Sequence, residues 1–177
     1  MLIVRPPEVC GDQMKMASGA AIAVTILLGI ASDPVFAAAK YLSEEVRAAL
    51  KDASGYQVHA SVSAIPVSVQ LSFAKARGVE SFTMAEPGAE WQVTDVVRKP
   101  GLPRRRLEKV ALSQSFCILF YELGGRGHSH HVAVFRLSPG SATLVWRAVL
   151  DHAVGDPAAL LVAIDEGKVE DNPKYGF

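Results

Sequence analysis

Three of the five histidines in the chain fall within four consecutive positions, in the segment His128-Ser129-His130-His131. On a β-strand, side chains alternate between the two faces, so His128 and His130 share one face and His131 points to the other. Two imidazoles at this spacing could bind one Zn²⁺ or Cu²⁺, with Zn–N distances of about 2.0–2.1 Å for zinc. The alternative is an exposed polar stretch beside a glycine-rich turn.

A metal bound by this pair would need further ligands from elsewhere in the chain. The candidates by residue type are His59, His152, Asp95 and Glu122. The sequence contains no complete four-ligand spacing pattern of the kind that identifies zinc sites. The histidine pair therefore predicts a zinc or copper site as one hypothesis, and no other cofactor is expected.

A second cluster is basic and lies between residues 98 and 109. Six of these twelve residues are Arg or Lys, and Glu108 is the single acid. Guanidinium groups pair well with carboxylates and phosphates. We therefore predict a ligand-binding surface made by Arg104, Arg105, Arg106 and, on the turn at 124–127, Arg126. The alternative is structural pairing between this segment and the acidic stretch from 151 to 171.

Composition and motifs argue against several other functions. The 18 Lys and Arg residues balance the 18 Asp and Glu residues, so the chain lacks the basic character of nucleic-acid-binding proteins. A hydrophobic content of 50% excludes a disordered chain. No serine lies in a G-x-S-x-G motif, and Cys117 lies in an apolar strand, where a thiol is unreactive. We expect no nucleic-acid partner and no catalytic residues.

The elements that position these residues follow from periodicity. Residues 115–122 are apolar on both faces, as in a central strand covered on both sides. Together with 107–112, 128–137 and 143–150, they predict an antiparallel meander over residues 107–150. Residues 91–96 also alternate, which predicts a further strand, and Trp91 and Trp146 are expected to anchor the core.

Helices are expected on both sides of this meander. Apolar residues at 42, 46, 49 and 50 predict a helix at 41–53. Pro66 favours a helix over a strand for 66–76, and Asp156 followed by Pro157 begins a short C-terminal helix. The predicted class is α+β: an antiparallel sheet with N-terminal helices and a short C-terminal helix, in a single globular domain over residues 38–177.

The N-terminal region predicts export to the periplasm or secretion from the cell. Lys15 precedes an apolar run at 20–30, and Val35-Phe36-Ala37 suits cleavage after Ala37, with cleavage after Ala39 as an alternative. Residues 1–37 are therefore an expected extension plus cleavable signal peptide, with Met14 as an alternative start. The charge-free run at 17–32 is short for a membrane span, so we expect no stable span after cleavage. An uncleaved membrane anchor is the alternative.

These observations leave three hypotheses for function. The first is a small exported, non-catalytic binding domain that uses the segment 98–109 together with the turn 124–131. Its partner would be an anionic small molecule or another envelope protein. The second is a divalent-metal-binding protein or metal-dependent enzyme that uses His128 and His130. The third is a structural envelope component without a discrete site.

Overall fold

In the part of the chain that the structure describes, six strands form one antiparallel sheet whose strand order follows the chain. The computed structural model describes residues 39–97 and 99–171, so the predicted signal peptide at 1–37 lies outside the described residues. The strands are β1 (Gln57–His59), β2 (Arg105–Leu112), β3 (Phe116–Leu123), β4 (Ser129–Ser138), β5 (Ser141–Leu150) and β6 (Val169–Glu170). The helices are α1 (Glu44–Lys51), α2 (Val67–Ala76) and α3 (Pro157–Asp165). The α+β class and the meander are confirmed.

Strand β3 lies near the middle of the sheet because both of its faces are apolar. Alternation sends Ile118 and Phe120 to one face, where they pack in a core cluster that includes residues of α1 and α3. It sends Leu119 and Tyr121 to the other face, where Phe73 of α2 belongs to the cluster that covers them. We call these the α1/α3 face and the α2 face. Helices therefore cover the sheet on both sides.

The helices begin where side chains or proline favour a start. The hydroxyl of Ser43 accepts a hydrogen bond of 3.3 Å from the backbone of Val46, and the carboxylate of Asp156 accepts one of 2.9 Å from Ala159. Pro66 precedes α2, so the choice of helix for this segment is confirmed. None of the helices within the described residues is both long and apolar enough to cross a membrane.

A β-bulge in β2 changes which side chains face each side of the sheet. Leu107 lies opposite Tyr121 and Lys109 lies opposite Phe120, so Glu108 is the extra residue between them. Arg105, which precedes the bulge in the strand, is only 3% exposed. Its guanidinium lies 5.9 Å from the ring centre of Phe73 on the α2 face. The alternation of side chains therefore shifts by one residue between Arg105 and Arg106, which precede the bulge, and the apolar residues that follow it.

The predicted strand at 91–96 is wrong, because this segment folds into an irregular loop. The side-chain amide of Gln92 donates to the carbonyl of Thr94 at 2.7 Å and also to that of Val96. These local bonds curl the chain and compete with a strand ladder. Only an isolated bridge between Thr94 and Gly125 joins the segment to the β3–β4 turn. Trp91 and Trp146 are 8% and 4% exposed and belong to the buried core, as expected.

Asp171 fastens the start of the described chain to the sheet. Its carboxylate accepts hydrogen bonds from the backbone of Lys40 at 2.9 Å and of Tyr41 at 2.7 Å. It also accepts one of 3.1 Å from the indole nitrogen of Trp146 on β5. Three donors therefore converge on one carboxylate that is 8% exposed.

Candidate metal centre

Glu122, His128 and His130 come together at one end of the α1/α3 face. Each offers one ligand atom, and these three atoms lie within 4.8 Å of one another. The strand register explains the convergence, since Glu122 on β3 lies directly opposite His130 on β4. The short turn between the strands returns the chain so that His128 Nε2 donates to Glu122 Oε1 at 2.8 Å. The centroids of the two imidazole rings are 4.9 Å apart.

The structure separates the other candidate ligands from this group. His59 lies on β1 opposite Val110. Asp95 accepts a hydrogen bond of 2.7 Å from Arg104, and His152 pairs with the neighbouring Asp151. Glu122 is therefore the one predicted partner that joins the histidine pair among the residues described in the structure.

Sequence reasoning missed Glu108, which orients His130. The Glu108 carboxylate lies beside His130, whose Nδ1 donates to Oε1 at 2.8 Å. This bond leaves the Nε2 of His130 for another partner, as in metal sites where a carboxylate holds a ligand histidine. The second oxygen, Oε2, is buried and has no hydrogen-bond partner. Alternation from Arg106 would place Glu108 on the same face of β2, but nothing in the sequence indicates that it meets His130, which lies two strands away in the sheet.

The cluster carries more negative than fixed positive charge. Burial raises the pKa of Glu122, but the hydrogen bond and charge of Arg106 and the contact with His128 outweigh burial, so the net pKa falls below its ordinary value. Burial raises the pKa of Glu108, and His130 opposes the rise. Two carboxylates face one guanidinium, that of Arg106. A bound cation or a protonated imidazole would supply the missing positive charge.

Trp91 separates this cluster from a neighbouring cavity. Its ring lies 5.7 Å from that of His128, and the guanidinium of Arg106 lies 5.2 Å from the Trp91 ring centre. Trp91 and Arg106 also line a cavity of about 640 Å³, together with Lys99 and the loop around it. The same two side chains thus form part of the cluster wall and part of the cavity wall.

Glycine at position 124 allows the loop that carries Trp91 to reach the β3–β4 turn. A Cβ atom at Gly124 would lie 2.0 Å from the carbonyl oxygen of Gln92. One backbone bond fastens this contact, since Gly125 N donates to Val93 O at 3.1 Å, while Gly124 N donates to Arg104 O at 3.0 Å, just before β2. The turn 124–128 and the loop therefore lie side by side.

The four predicted arginines do not form one surface. Arg104 is exposed and paired with Asp95, and Arg106 is bound to Glu122 within the cluster. Arg105 is buried on the α2 face. Arg126 is exposed on the turn. Arg98, which belongs to the same basic segment, lies outside the described residues. Only Arg104 and Arg126 therefore remain as exposed cations of the predicted set.

The remaining candidates for chemistry lie on the α2 face. His131 points away from the metal cluster, stacks on Tyr121 with ring centroids 5.3 Å apart, and has its Nε2 2.8 Å from the hydroxyl of Ser129. Cys117 is fully buried, and burial raises the pKa of its thiol to about 12. A thiol with that pKa is almost entirely protonated near neutral pH, so it is a poor nucleophile.

No protein-family model matches the chain, and comparison with curated proteins and with solved structures finds no match either. The functional argument therefore depends on the geometry of the site itself.

Proposed function

We propose that the chain is a small exported protein that binds a divalent metal through Glu122, His128 and His130. The observation that carries the proposal is the convergence of one carboxylate and two imidazoles within 4.8 Å, from two strands and the turn between them. The contact of Glu108 with His130 adds the outer carboxylate that orients a ligand histidine. The support for export is the sequence pattern around Lys15, residues 20–30 and Ala37.

The donor set favours zinc or copper over magnesium or calcium. Two nitrogens and one oxygen suit borderline metals, whereas magnesium and calcium prefer oxygen ligands alone. The present 2.8 Å separation of His128 Nε2 and Glu122 Oε1 is close to that of two ligands on one zinc, about 3.3 Å for tetrahedral bonds of about 2.0 Å. Binding through Nε2 would move the imidazole proton of His128 to Nδ1. Protons compete with the metal for the ligand atoms, so metal affinity should fall as the pH falls.

Three protein ligands leave one position of a tetrahedral metal open. Arg106 keeps the other oxygen of Glu122, so the carboxylate would bind the metal through Oε1 alone. The open position would hold water or an exogenous ligand. The site therefore fits metal binding without assigning a reaction.

Metal content and zinc titration of the full-length product, purified without a histidine tag, test the proposal. We expect close to one equivalent of zinc, and loss of that equivalent in His128→Ala/His130→Ala. The matched control is His59→Ala/His152→Ala, which removes the same number of imidazoles from outside the cluster. At zinc concentrations one hundred times Kd, binding should stabilise the fold by about 2.7 kcal/mol. Equal zinc binding by the two double variants would discard the site.

A second candidate function is capture of an anionic small molecule or another envelope protein. The observation that favours it is the contact between the loop of Trp91 and the turn of Arg126, beside the cavity that Lys99 lines. Retention on a polyanion such as heparin should then decrease with salt and weaken in Arg104→Ala/Arg126→Ala. A purely structural envelope component predicts no effect in either set of variants.

A further inference from the structure

The cavity that Trp91 separates from the metal cluster has the size and lining of a small-molecule site. Its volume of about 640 Å³ lies within the range of about 300–1,000 Å³ that is usual for ligand pockets. Apolar and aromatic surface comes from Trp91, Val93 and Leu102. The polar side chains that line it are those of Glu90, Gln92, Thr94, Lys99 and Arg106.

Most of this polar lining is already bound within the protein. The side-chain amide of Gln92 donates to the backbone carbonyl of Thr94 at 2.7 Å. Lys99 Nζ donates to a carboxylate oxygen of Glu90 at 2.5 Å, and both side chains are exposed, so their opposite charges offset each other. In the described part of the chain, Arg106 is therefore the lining cation that no carboxylate of the cavity wall neutralises.

Arg106 is fixed by the metal cluster but keeps unused donors. Its Nε donates to Glu122 Oε2, and its guanidinium lies 5.2 Å from the ring centre of Trp91. Its terminal nitrogens have no hydrogen-bond partner among residues 39–97 and 99–171. The side chain lines the cavity and is 30% exposed, so a ligand in the cavity can reach these donors. A guanidinium with both terminal nitrogens available can hold a carboxylate in bidentate fashion.

We propose that this cavity binds a small organic carboxylate, held by the terminal nitrogens of Arg106, with its apolar part against Trp91, Val93 and Leu102. The lining carries two cations and one carboxylate, so its formal charge of +1 matches a carboxylate better than a phosphate, which carries about −1.5 to −2. Val93 is 42% exposed, so an apolar ligand group would cover surface that water now contacts. The proposal rests on the second candidate function, whose small molecule it assigns to a class, and it needs no metal.

Calorimetry of the full-length protein with benzoate in EDTA tests this site, because EDTA removes any metal to which a carboxylate could bind instead. One equivalent of benzoate should bind at least about tenfold more tightly than benzamide, its neutral analogue. Acetate should bind more weakly as well, because it lacks the apolar ring. Equal affinity for benzoate and benzamide would overturn the assignment of a carboxylate. Tighter binding of phenyl phosphate than of benzoate would overturn it in favour of a phosphate.

A pair of loop variants locates the binding without touching the metal cluster. Val93→Asp adds a carboxylate to the cavity wall, and its repulsion should weaken benzoate binding at least about fivefold. Val96→Asp is the matched control, because Val96 is 68% exposed on the same loop and does not line the cavity. This control should bind benzoate within about twofold of the unsubstituted protein. Both positions are exposed, so both variants should fold. Equal benzoate affinity in the two variants would overturn the site.

Arginine variants test the proposed donor. Arg106→Gln should weaken benzoate binding about 10- to 100-fold, as expected for loss of a charge-assisted pair. Arg104→Gln changes the exposed neighbour that is paired with Asp95, so it should bind within about twofold of the unsubstituted protein. Salt-sensitive retention on heparin without benzoate binding would overturn the cavity site and leave the second candidate function standing. Loss of both would discard the cavity site and that function together.

Discussion

The close approach between the β3–β4 turn and the loop of Trp91 depends on the missing side chain of Gly124. In Gly124→Ala, the new Cβ would lie 2.0 Å from the carbonyl oxygen of Gln92 and 2.8 Å from the carbonyl carbon of Val93. Both obstacles are backbone atoms, so no side-chain rotation can relieve the clash. The two segments must move apart, and the Gly125 N to Val93 O bond of 3.1 Å is the first that would break.

The cost of this substitution is the sum of two ordinary effects. Overpacking of a tight contact costs about 1–3 kcal/mol, and loss of one backbone hydrogen bond costs about 1 kcal/mol. We therefore expect Gly124→Ala to lower the free energy of unfolding by about 2–4 kcal/mol. For a domain of this size, that corresponds to a fall in Tm of about 5–15 °C.

Gly127→Ala is the matched control, because a Cβ at Gly127 would meet no atom within 4 Å. Its free energy of unfolding should change by no more than about 0.5 kcal/mol. Urea and thermal unfolding of both variants measure the difference. Since Trp91 lies against His128, Gly124→Ala should also weaken zinc binding, whereas Gly127→Ala should not. Indistinguishable unfolding curves for the two alanine variants would refute the reasoning about this contact.

Two further predictions concern the core. Asp171→Ala should lower the free energy of unfolding by about 2–4 kcal/mol, because the indole nitrogen of Trp146 and two backbone N–H groups would lose their acceptor. Urea unfolding measures this change, and a loss below about 0.5 kcal/mol would contradict the prediction. Cys117, with a pKa near 12, should react with iodoacetamide at pH 8 at least about 1,000-fold more slowly in the native protein than in the urea-unfolded protein. Rapid native labelling, followed by mass spectrometry, would show that β3 is not covered on both sides.

The parts of the fold that sequence predicts well are those set by periodicity and local caps. The apolar faces of 115–122 predict a central strand, and Asp156 followed by Pro157 predicts the start of α3. Alternation also places His128 and His130 on one face, and the structure agrees. These features depend on neighbouring residues alone.

The parts that sequence could not predict depend on contacts between distant segments. The bulge at Glu108 shifts the alternation of β2 by one residue, and only the pairing with β3 reveals it. Gln92 overrides the alternation of its own segment through hydrogen bonds to nearby carbonyls. A run of arginines resembles a solvated surface, yet the packing of α2 buries Arg105. The first two of these exceptions lie at or beside a proposed site.

The lengths of the outer strands bear on how the sheet meets other molecules. The strands at its two margins, β1 and β6, have three and two residues, whereas those between them have eight or ten. Unpaired backbone groups at a sheet margin are templates for aggregation, and short marginal strands limit that hazard. A second chain could therefore add only a few hydrogen bonds to either margin, while the apolar strands most prone to fibril formation stay shielded inside.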